Sequence, residues 1–483
     1  MAENLKEKAV KGISWNLIER IGVQGIKFIL GIILARLLMP ADFGLIGMIT
    51  VFFAIAQVFV QSGFGHAYIQ KEHVDEKDAN TVFYVNLITS VLLYFVLWFG
   101  AEAIANFYDQ PQLVSLTRVM GIIVIINSFN VIQIAKITRN VDFKKKTQVT
   151  LIATIISGFA GIYAAYKGMG VWSLVIQHLS NAFIFSIILW VKSKWVPSLS
   201  FSRQSFKSLF SFGSWILAGG LLRTTFDNIY ILIIGKLFPI AQLGFYTKAK
   251  QFQKLLSEQL SQATSSVAFP VFSKMQNDKV KLQRVMKDFL THTMFLIAPV
   301  LIVVIVIAKP LVIVLLTDKW EPMIPYLQLL SVVGVLYPLH AVNVQALNAQ
   351  GLSRLNFKLN LVKNALRVIN IVITYRWGVL YIIIGEIVLS LIALFINTYF
   401  TKRLLNYGLF DQLLDIKELI LGILLAGSLS YGFVLITANI YLALIIGAVL
   451  FGILFLGTQY VFNRRFLLSF IDLRKIFIKS GKK

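Results

Sequence analysis

The sequence predicts an all-α protein that crosses a membrane many times. Of its 483 residues, 57% are hydrophobic and only 14% are charged, whereas soluble domains are about 45–50% apolar and about 25% charged. Long apolar runs, separated by short charged segments, recur along the chain. A soluble core does not accommodate so much apolar surface, but lipid surrounding helices does.

The apolar runs predict about 14 transmembrane helices. A helix needs about 20 predominantly apolar residues to cross the hydrocarbon layer. Of the predicted spans, the first, seventh, eighth, tenth and eleventh are the most polar. In chain order the spans are 12–38, 41–62, 79–103, 113–135, 147–166, 170–191, 208–235, 241–272, 288–308, 323–348, 359–375, 378–400, 418–436 and 440–462.

Basic residues are distributed unevenly between alternate loops. With the amino terminus inside, the inner segments hold 31 of the 46 Lys and Arg residues, the outer loops hold 5, and 10 lie within spans. Because cytoplasmic loops are enriched in Lys and Arg, both termini are predicted to be cytoplasmic. The net charge of +24 is therefore expected to face anionic membrane lipids, and nucleic acid is not an expected partner.

An internal repeat at an offset of 200 residues predicts two related lobes. The Ser-Trp pair at 14–15 recurs at 214–215, and Gly44 recurs as Gly244. Each repeat contains six spans, so the copies enter the membrane in the same direction around a pseudo-twofold axis, with a central cavity between them. The predicted organisation is an N-lobe (1–192), a cytoplasmic linker (193–207), a C-lobe (208–403), two further helices (404–463) and a basic amphipathic tail (464–483).

Charged residues within the spans predict a basic cavity. A charge at mid-bilayer costs about 2.5–3.5 kcal/mol on insertion scales, so it needs a partner, a wet cavity or a nearby interface. Ten basic residues against four deep acidic ones favour an anionic cargo. The candidate cavity residues are Arg20, Gln24, Lys27, Arg223, Lys250, Lys254, Lys363 and Arg367, and the candidate gating or coupling residues are Glu19, Asp227, Glu258 and Glu386.

Spacing along the helices supports these assignments. Arg20, Gln24 and Lys27 share one stripe of span one, and Lys27 lies about 20 Å from its cytoplasmic end, too deep for easy snorkelling. For Arg20, snorkelling to the interface remains an alternative. Lys363 and Arg367 are like charges four residues apart in span eleven, so neither neutralises the other.

The acidic residues within the spans can also be interpreted more simply, as partners in ion pairs. Arg223 and Asp227 have the spacing of an ion pair within one helix, whereas the 200-residue offset also matches Asp227 to Lys27 and suggests a pair between lobes. Lys254 and Glu258 have the spacing of a similar local pair. Glu386 in span twelve is a candidate partner for the bases of span eleven.

The sequence lacks the signatures of several classes of chemistry. The chain has no cysteine, and the P-loop, HExxH and GxSxG motifs are absent. The predicted outer loops are short, the longest being around 309–322, so no external catalytic domain is expected. We predict a non-enzyme without cofactor, with a proton or sodium gradient as the candidate energy source. Histidines 178, 292 and 340 lie in spans, where a neutral, hydrogen-bonded state is expected and proton relay is the alternative.

Five stretches spread along the chain carry recognisable motifs: ILARLLMPADFGLIGM (33–48), QKEHVDEKDANTVFYVNL (70–87), LGFYTKAKQF (243–252), VAFPVFSKMQND (267–278) and NAQGLSRLNFKLN (348–360). In their order and spacing they resemble the Wzx-type polysaccharide flippases, in the colanic-acid-like branch of the multidrug/oligosaccharidyl-lipid/polysaccharide (MOP) exporter superfamily. The resemblance implies alternating access and transfer of undecaprenyl-pyrophosphate-linked oligosaccharide from the inner to the outer leaflet of the bacterial cytoplasmic membrane. It also implies a polysaccharide polymerase and chain-length machinery as partners. By position and character, Arg20 and Lys27 best match the family's basic cavity residues.

Other functions remain alternatives. A lipid II flippase would also need a cationic cavity, whereas an ion-coupled exporter of cationic drugs would need an acidic one. A membrane polysaccharide polymerase or ligase would need a sizeable external loop with Arg and His. A structural scaffold would have no reason to keep Lys27, Lys363 and Arg367 in the membrane.

Overall fold

The computed structural model describes residues 22–61, 64–140, 142–193, 195–464 and 466–467, and these residues form helices without any strand. Packing divides the chain into two compact units, one ending at Thr247 and the other beginning at Lys248. The predicted lobes follow the repeat and not this division, and they remain a prediction.

The first unit contains ten helices and the start of an eleventh within the described ranges. They are α1 (Gln24–Leu37), α2 (Pro40–Gln61), α3 (Phe64–Gln70), α4 (Glu76–Tyr108), α5 (Gln112–Ser128), α6 (Val131–Arg139), α7 (Phe143–Tyr166), α8 (Val171–Ser193), α9 (Arg203–Asp227), α10 (Ile229–Leu237) and α11 (Ile240–Lys274), the last of which continues into the second unit.

The second unit is also helical throughout its described part. Its helices are α12 (Lys279–Val306), α13 (Ala308–Leu316), α14 (Ile324–Ala349), α15 (Ser353–Thr374), α16 (Val379–Leu405), α17 (Leu409–Asp415), α18 (Lys417–Ile436) and α19 (Ile440–Phe462), with 3-10 turns at Asp318–Met323 and Tyr375–Trp377.

Many of these helices are long and apolar enough to cross a membrane. In the described ranges, nine single helices meet that condition, and the bent pairs α5–α6 and α9–α10, with bends of 41° and 42°, raise the number to as many as 11. Apolar side chains such as Phe395, Leu425 and Ile453 remain exposed on them, as expected where lipid is the solvent. The chain is a multi-pass helical membrane protein.

Each of the fourteen predicted spans coincides with a helix or a bent helix pair, at least in its described part. Three of them are not among the apolar candidates. Residues 12–21 of span one lie outside the described residues, and α11 and α15 carry many Lys, Asn, Gln and Ser residues. The count of fourteen is therefore not confirmed and remains a prediction.

The stretch 309–322, predicted to be an outer loop, is mostly helical. It contains most of α13 and of the following 3-10 turn. The apolar run from Leu311 to Leu316 suits a helix, and Trp320 is fully buried. Burial of this large aromatic side chain folds the segment back onto its unit.

Two glycines related by the repeat pack reciprocally in the first unit. A Cβ atom at Gly44 of α2 would lie 2.2 Å from the carbonyl oxygen of Ile240, and one at Gly244 of α11 would lie 1.9 Å from the carbonyl oxygen of Pro40. Position 240 is the repeat equivalent of position 40. The starts of α2 and α11 therefore cross with local twofold symmetry, and only glycine permits this close approach of backbones.

Polar side chains fix the start of α4. Asp75 and Asp78 form a capping box, in which the Asp75 side chain accepts from the Asp78 amide and the Asp78 side chain accepts from the Asp75 amide. Asp78 is 1% exposed, and the Lys71 ammonium contacts its carboxylate at 2.7 Å. The Arg139 guanidinium donates to carbonyls at the end of α3 and just beyond it, including those of Tyr68 and Glu72. These contacts satisfy helix ends that would otherwise lack hydrogen bonds.

The same region anchors the predicted inter-lobe linker. Asn80 Nδ2 donates to the hydroxyl oxygens of Ser198 and Ser200 at 2.7 and 2.9 Å, and Asn80 Oδ1 accepts from the Ser198 amide at 3.0 Å. Trp195 Nε1 donates to Glu76 at 2.7 Å. The resembling motif at 70–87 therefore contains the groups that hold residues 195–200 against α4.

Replacing Asn80 with leucine is expected to loosen this linker, because three hydrogen bonds are lost while the branching and the number of side-chain heavy atoms are kept. Each such bond contributes about 0.5–1.5 kcal/mol. We expect limited trypsin digestion to cut after the exposed Arg203 several-fold faster than in the wild type. Asn140→Leu, at an exposed position of the same unit, is the control, and equal cleavage rates in both variants would contradict this role of Asn80.

Candidate functional site

The strongest candidate site lies on α15 in the second unit. Its polar residues Asn356, Lys363, Arg367 and Asn370 lie on one helical stripe. Asn370 is buried and the two bases are half-buried, whereas apolar positions such as Val372 are exposed. The basic stripe therefore faces protein, and the opposite face of α15 has the character expected for contact with lipid.

Lys363 is held by a hydrogen-bond chain that runs across three helices. Its ammonium donates to Asn397 Oδ1 of α16 at 2.7 Å. Asn397 Nδ2 lies 3.2 Å from Nδ1 of His340 on α14. The other ring nitrogen, Nε2 of His340, lies 2.9 Å from the Ser390 hydroxyl oxygen of α16. His340 is thus hydrogen-bonded through both nitrogens, as expected for a histidine inside a span.

The neighbouring turns of α15 and α16 pack closely. Arg367 donates to Asn364 Oδ1 at 3.2 Å, and Asn370 donates to the Ile382 carbonyl at 3.2 Å. A Cβ atom at Gly385 would lie 1.7 Å from Asn370 Oδ1, so glycine makes room for this buried amide. Next to it, Oε2 of Glu386 is buried and has no hydrogen-bond partner in the part of the chain that the structure describes.

A second polar cluster lies about one turn further along α14, against the same helix α16. Asn343 and Gln412 exchange two hydrogen bonds at 2.9 Å through their side-chain amides. Thr401 of α16 donates to Asn343 Oδ1 at 2.8 Å. All three residues are fully buried, so their mutual hydrogen bonds avoid a large desolvation cost and fix the register of α14 against α16.

This cluster continues to a surface ion pair after α16. The Tyr407 hydroxyl donates to Asp415 at 2.8 Å, and Lys287 of α12 pairs with the same carboxylate. Burial raises the pKa of Tyr407 above its usual value, and the hydrogen bond to Asp415 adds to that increase. Tyr407 therefore acts as a neutral donor that orients Asp415.

The candidates of the first unit are partly described. Glu19 and Arg20 lie outside the described residues. Gln24 and Lys27 lie on the first turns of α1, where Gln24 is half-buried and Lys27 is exposed. The cavity stripe of span one therefore remains a prediction.

Arg223 and Asp227 form the local ion pair that their spacing suggests. Arg223 Nε lies 3.5 Å from Asp227 Oδ2, and both side chains are more than half exposed. Such an exposed pair contributes little to stability. The alternative pairing of Asp227 with Lys27 between lobes remains a hypothesis.

α11 carries the remaining candidate bases. The Lys254 ammonium lies 3.9 Å from the Glu258 carboxylate, so this local pair is also present. Lys250 is half-buried, and Lys248, one of the ten basic residues in spans, is only 3% exposed. A lysine that is so deeply buried needs polar neighbours or water molecules in a cavity.

One base of the predicted excess is neutralised. Arg118 of α5 pairs with Glu102 near the end of α4 at 3.0 Å, and its guanidinium lies over the Trp98 ring. Arg118 therefore adds no net positive charge to a site. Lys363 and Arg367 lie on the same stripe of α15, and this helix contains no acidic residue.

Sequence reasoning missed the residues that position the bases of α15. Asn397 and Ser390 lie on a helix that begins after the one carrying Lys363, and His340 was expected only to be hydrogen-bonded. Asparagine in an otherwise apolar span is the signal that could have identified Asn397. Chemically, the arrangement presents an ammonium and a guanidinium from a rigid, hydrogen-bonded support, which suits phosphate or carboxylate.

The fold defines the class of protein. It matches the structure of the lipid II flippase MurJ in an inward closed conformation with a TM-score of 0.74 and 14% identity, covering 95% of this chain and 100% of that one. It also matches a multidrug resistance MATE family transporter of the MOP superfamily, inward-facing, with a TM-score of 0.63 and 16% identity over 80% of this chain and 98% of that one. The chain therefore has the fold of MOP superfamily transporters.

The chain belongs to the polysaccharide biosynthesis protein family, whose model matches residues 33–325. The resemblance noted from the sequence is thereby confirmed. Three relatives are the teichuronic acid biosynthesis protein TuaB of Bacillus subtilis (27% identical, 62% of this chain), the succinoglycan biosynthesis transport protein ExoT of Rhizobium meliloti (23%, 70%) and the lipopolysaccharide biosynthesis protein WzxC of Escherichia coli (22%, 77%). The matches span 63%, 69% and 76% of those proteins, respectively.

Proposed function

We propose that this protein is a flippase for lipid-linked oligosaccharides. Its cargo would be undecaprenyl-pyrophosphate-linked repeat units, moved from the inner to the outer leaflet of the bacterial cytoplasmic membrane. Transport would proceed by alternating access through a cationic cavity between two lobes, with both termini in the cytoplasm. Partners would be a polysaccharide polymerase and chain-length machinery on the cargo's route, and anionic lipids around the basic loops.

The observation that carries this proposal is the basic pair on the protein-facing stripe of α15. Basic side chains within a membrane span face the bundle interior or a water-filled cavity, and two of them on one stripe favour an anionic guest. Pyrophosphate offers several anionic oxygens, which match the donors of Arg367 and the point charge of Lys363. Two relatives, ExoT and WzxC, are named for transport or biosynthesis of polysaccharides, which supports a glycan as the attached group.

The same chemistry leaves a second cargo to be tested. Lipid II shares the polyprenyl pyrophosphate group, and the likeness to MurJ favours including it. An enzyme that polymerises or transfers glycans would instead separate the sugar from its lipid. Neither alternative predicts the same result as a flippase of oligosaccharide repeat units.

The test is translocation by purified protein in proteoliposomes. A fluorescent undecaprenyl-pyrophosphate oligosaccharide placed in one leaflet becomes accessible to a membrane-impermeant quencher when it is flipped. We expect the protein to accelerate this exposure well beyond protein-free vesicles, with the glycan still attached to the lipid. Exclusive transport of lipid II would favour the second cargo, and glycan release would indicate an enzyme.

A further inference from the structure

The hydrogen-bond chain from Lys363 to Ser390 has a fixed direction. An ammonium only donates, so Asn397 must present its carbonyl oxygen Oδ1 to Lys363. Its amide nitrogen Nδ2 then faces Nδ1 of His340, which must act as an acceptor. His340 consequently carries its proton on Nε2 and donates it to the Ser390 hydroxyl.

A proton on Nδ1 of His340 is incompatible with this arrangement. Nδ1 would become a donor and would face the donor amide of Asn397. The conflict is removed only when the Asn397 amide rotates, so that Oδ1 accepts from His340 and Nδ2 faces the position of Lys363. Two donors would then oppose each other there, and the Lys363 ammonium would have to leave Asn397 for another acceptor.

We infer that Asn397 is a positioning residue that couples the binding of an anion at Lys363 to the uptake of one proton from solvent at His340. When an anionic oxygen draws the ammonium away from Asn397, the amide is free to rotate and Nδ1 is free to accept a proton. By linkage the effect is reciprocal, so protonation of His340 strengthens anion binding to the same extent. The part concerning cargo rests on the proposed flippase function.

Few groups around the His340 imidazole can influence this uptake of a proton. Lys363 and Arg367 of α15 are the charged groups that act on the imidazole, and α16 supplies the neutral Ser390 and Asn397. On α12 and α13, no titratable side chain acts on His340 among the described residues. The protonation state of His340 therefore depends on the positions of the basic groups Lys363 and Arg367, and Lys363 is the one linked to it through Asn397.

The first experiment needs no cargo. In protein labelled with isotopic nitrogen at histidine, we expect the His340 signal, identified by its loss in His340→Gln, to show the Nε2–H tautomer at mildly alkaline pH. Asn397→Asp places an acceptor opposite Nδ1 and should invert the tautomer to Nδ1–H, which loss of packing alone would not do. A wild-type Nδ1–H tautomer, or no inversion in Asn397→Asp, would overturn the inference.

The second experiment measures proton linkage with farnesyl pyrophosphate as the probe. Calorimetry in buffers of different ionisation enthalpy should show up to one more proton taken up on binding by the wild type than by His340→Gln, with affinity rising as the pH falls through the titration of His340. Equal proton uptake in both proteins would overturn the coupling while leaving the flippase proposal intact. If the probe binds to neither protein, the proposed function fails, and the tautomer experiment alone decides the role of Asn397.

Discussion

Replacement of Gly244 with alanine is expected to be among the most damaging single substitutions in this protein. The added Cβ would lie 1.9 Å from the Pro40 carbonyl oxygen, and a backbone atom cannot move aside as a flexible side chain can. The starts of α2 and α11 would have to separate. We expect a loss of about 1–3 kcal/mol or more in stability, which is typical of overpacking, and a corresponding fall in melting temperature and transport.

Because the two helices cross with local twofold symmetry, the equivalent substitution at Gly44 tests the same contact. Gly44→Ala should have a similar effect, since its Cβ would lie 2.2 Å from the Ile240 carbonyl oxygen. The double variant should lose less than the sum of the single losses, because both substitutions separate the same pair of helices. Gly100→Ala is the control, since nothing lies within 4 Å of its Cβ position. A melting temperature for Gly244→Ala equal to that of the control would refute the tight crossing.

Removal of both charges from the α15 stripe is expected to slow transport at least tenfold while leaving the fold intact. Lys363→Met with Arg367→Met keeps the apolar volume but removes the groups proposed to contact pyrophosphate. Truncating one partner of a desolvated charge contact costs about 2–5 kcal/mol, so we expect at least a tenfold loss in flipping rate. Stability should not fall greatly, because the membrane cost of the charges is removed as well.

A matched control for this variant lies on the same helix. Arg354 and Lys358 are also a basic pair four residues apart on α15, but both are exposed and precede the predicted span. Arg354→Met with Lys358→Met removes the same charge and the same residue types. Flipping rates in proteoliposomes that fall equally in the two double variants would mean that net charge, and not the position of Lys363 and Arg367, determines transport.

The sequence predicted the helices better than the contacts between them. Hydropathy and length located segments that all coincide with helices, since lipid imposes both requirements on a spanning helix. The segment 309–322 is mostly helical, which its short apolar run did not signal, and buried side chains such as Val312, Leu316 and Trp320 pack it against its unit. The repeat at Gly44 and Gly244 was visible in the sequence, but its reciprocal contacts with Ile240 and Pro40 were not.

In the candidate site, too, the sequence predicted features within one helix but not the contacts between helices. Spacing along α15 identified Lys363 and Arg367, because residues four apart share a face of one helix. Their supports come from other helices, and Asn397 and His340 are separated from Lys363 by 34 and 23 positions in the chain. Periodicity within one helix contains no information on which neighbour provides a hydrogen-bond partner. Local ion pairs such as Lys254–Glu258 were predictable because both partners lie on one helix.

We propose that the protein moves an anionic glycolipid by means of positioned basic residues. The most direct test of this proposal compares, in the same proteoliposomes, the flipping of one oligosaccharide attached to undecaprenyl pyrophosphate and attached to uncharged undecaprenol. We expect the wild type to flip the pyrophosphate form at least tenfold faster and the Lys363→Met, Arg367→Met variant to lose most of that preference. Equal rates for the charged and uncharged lipids in the wild type would contradict the claim.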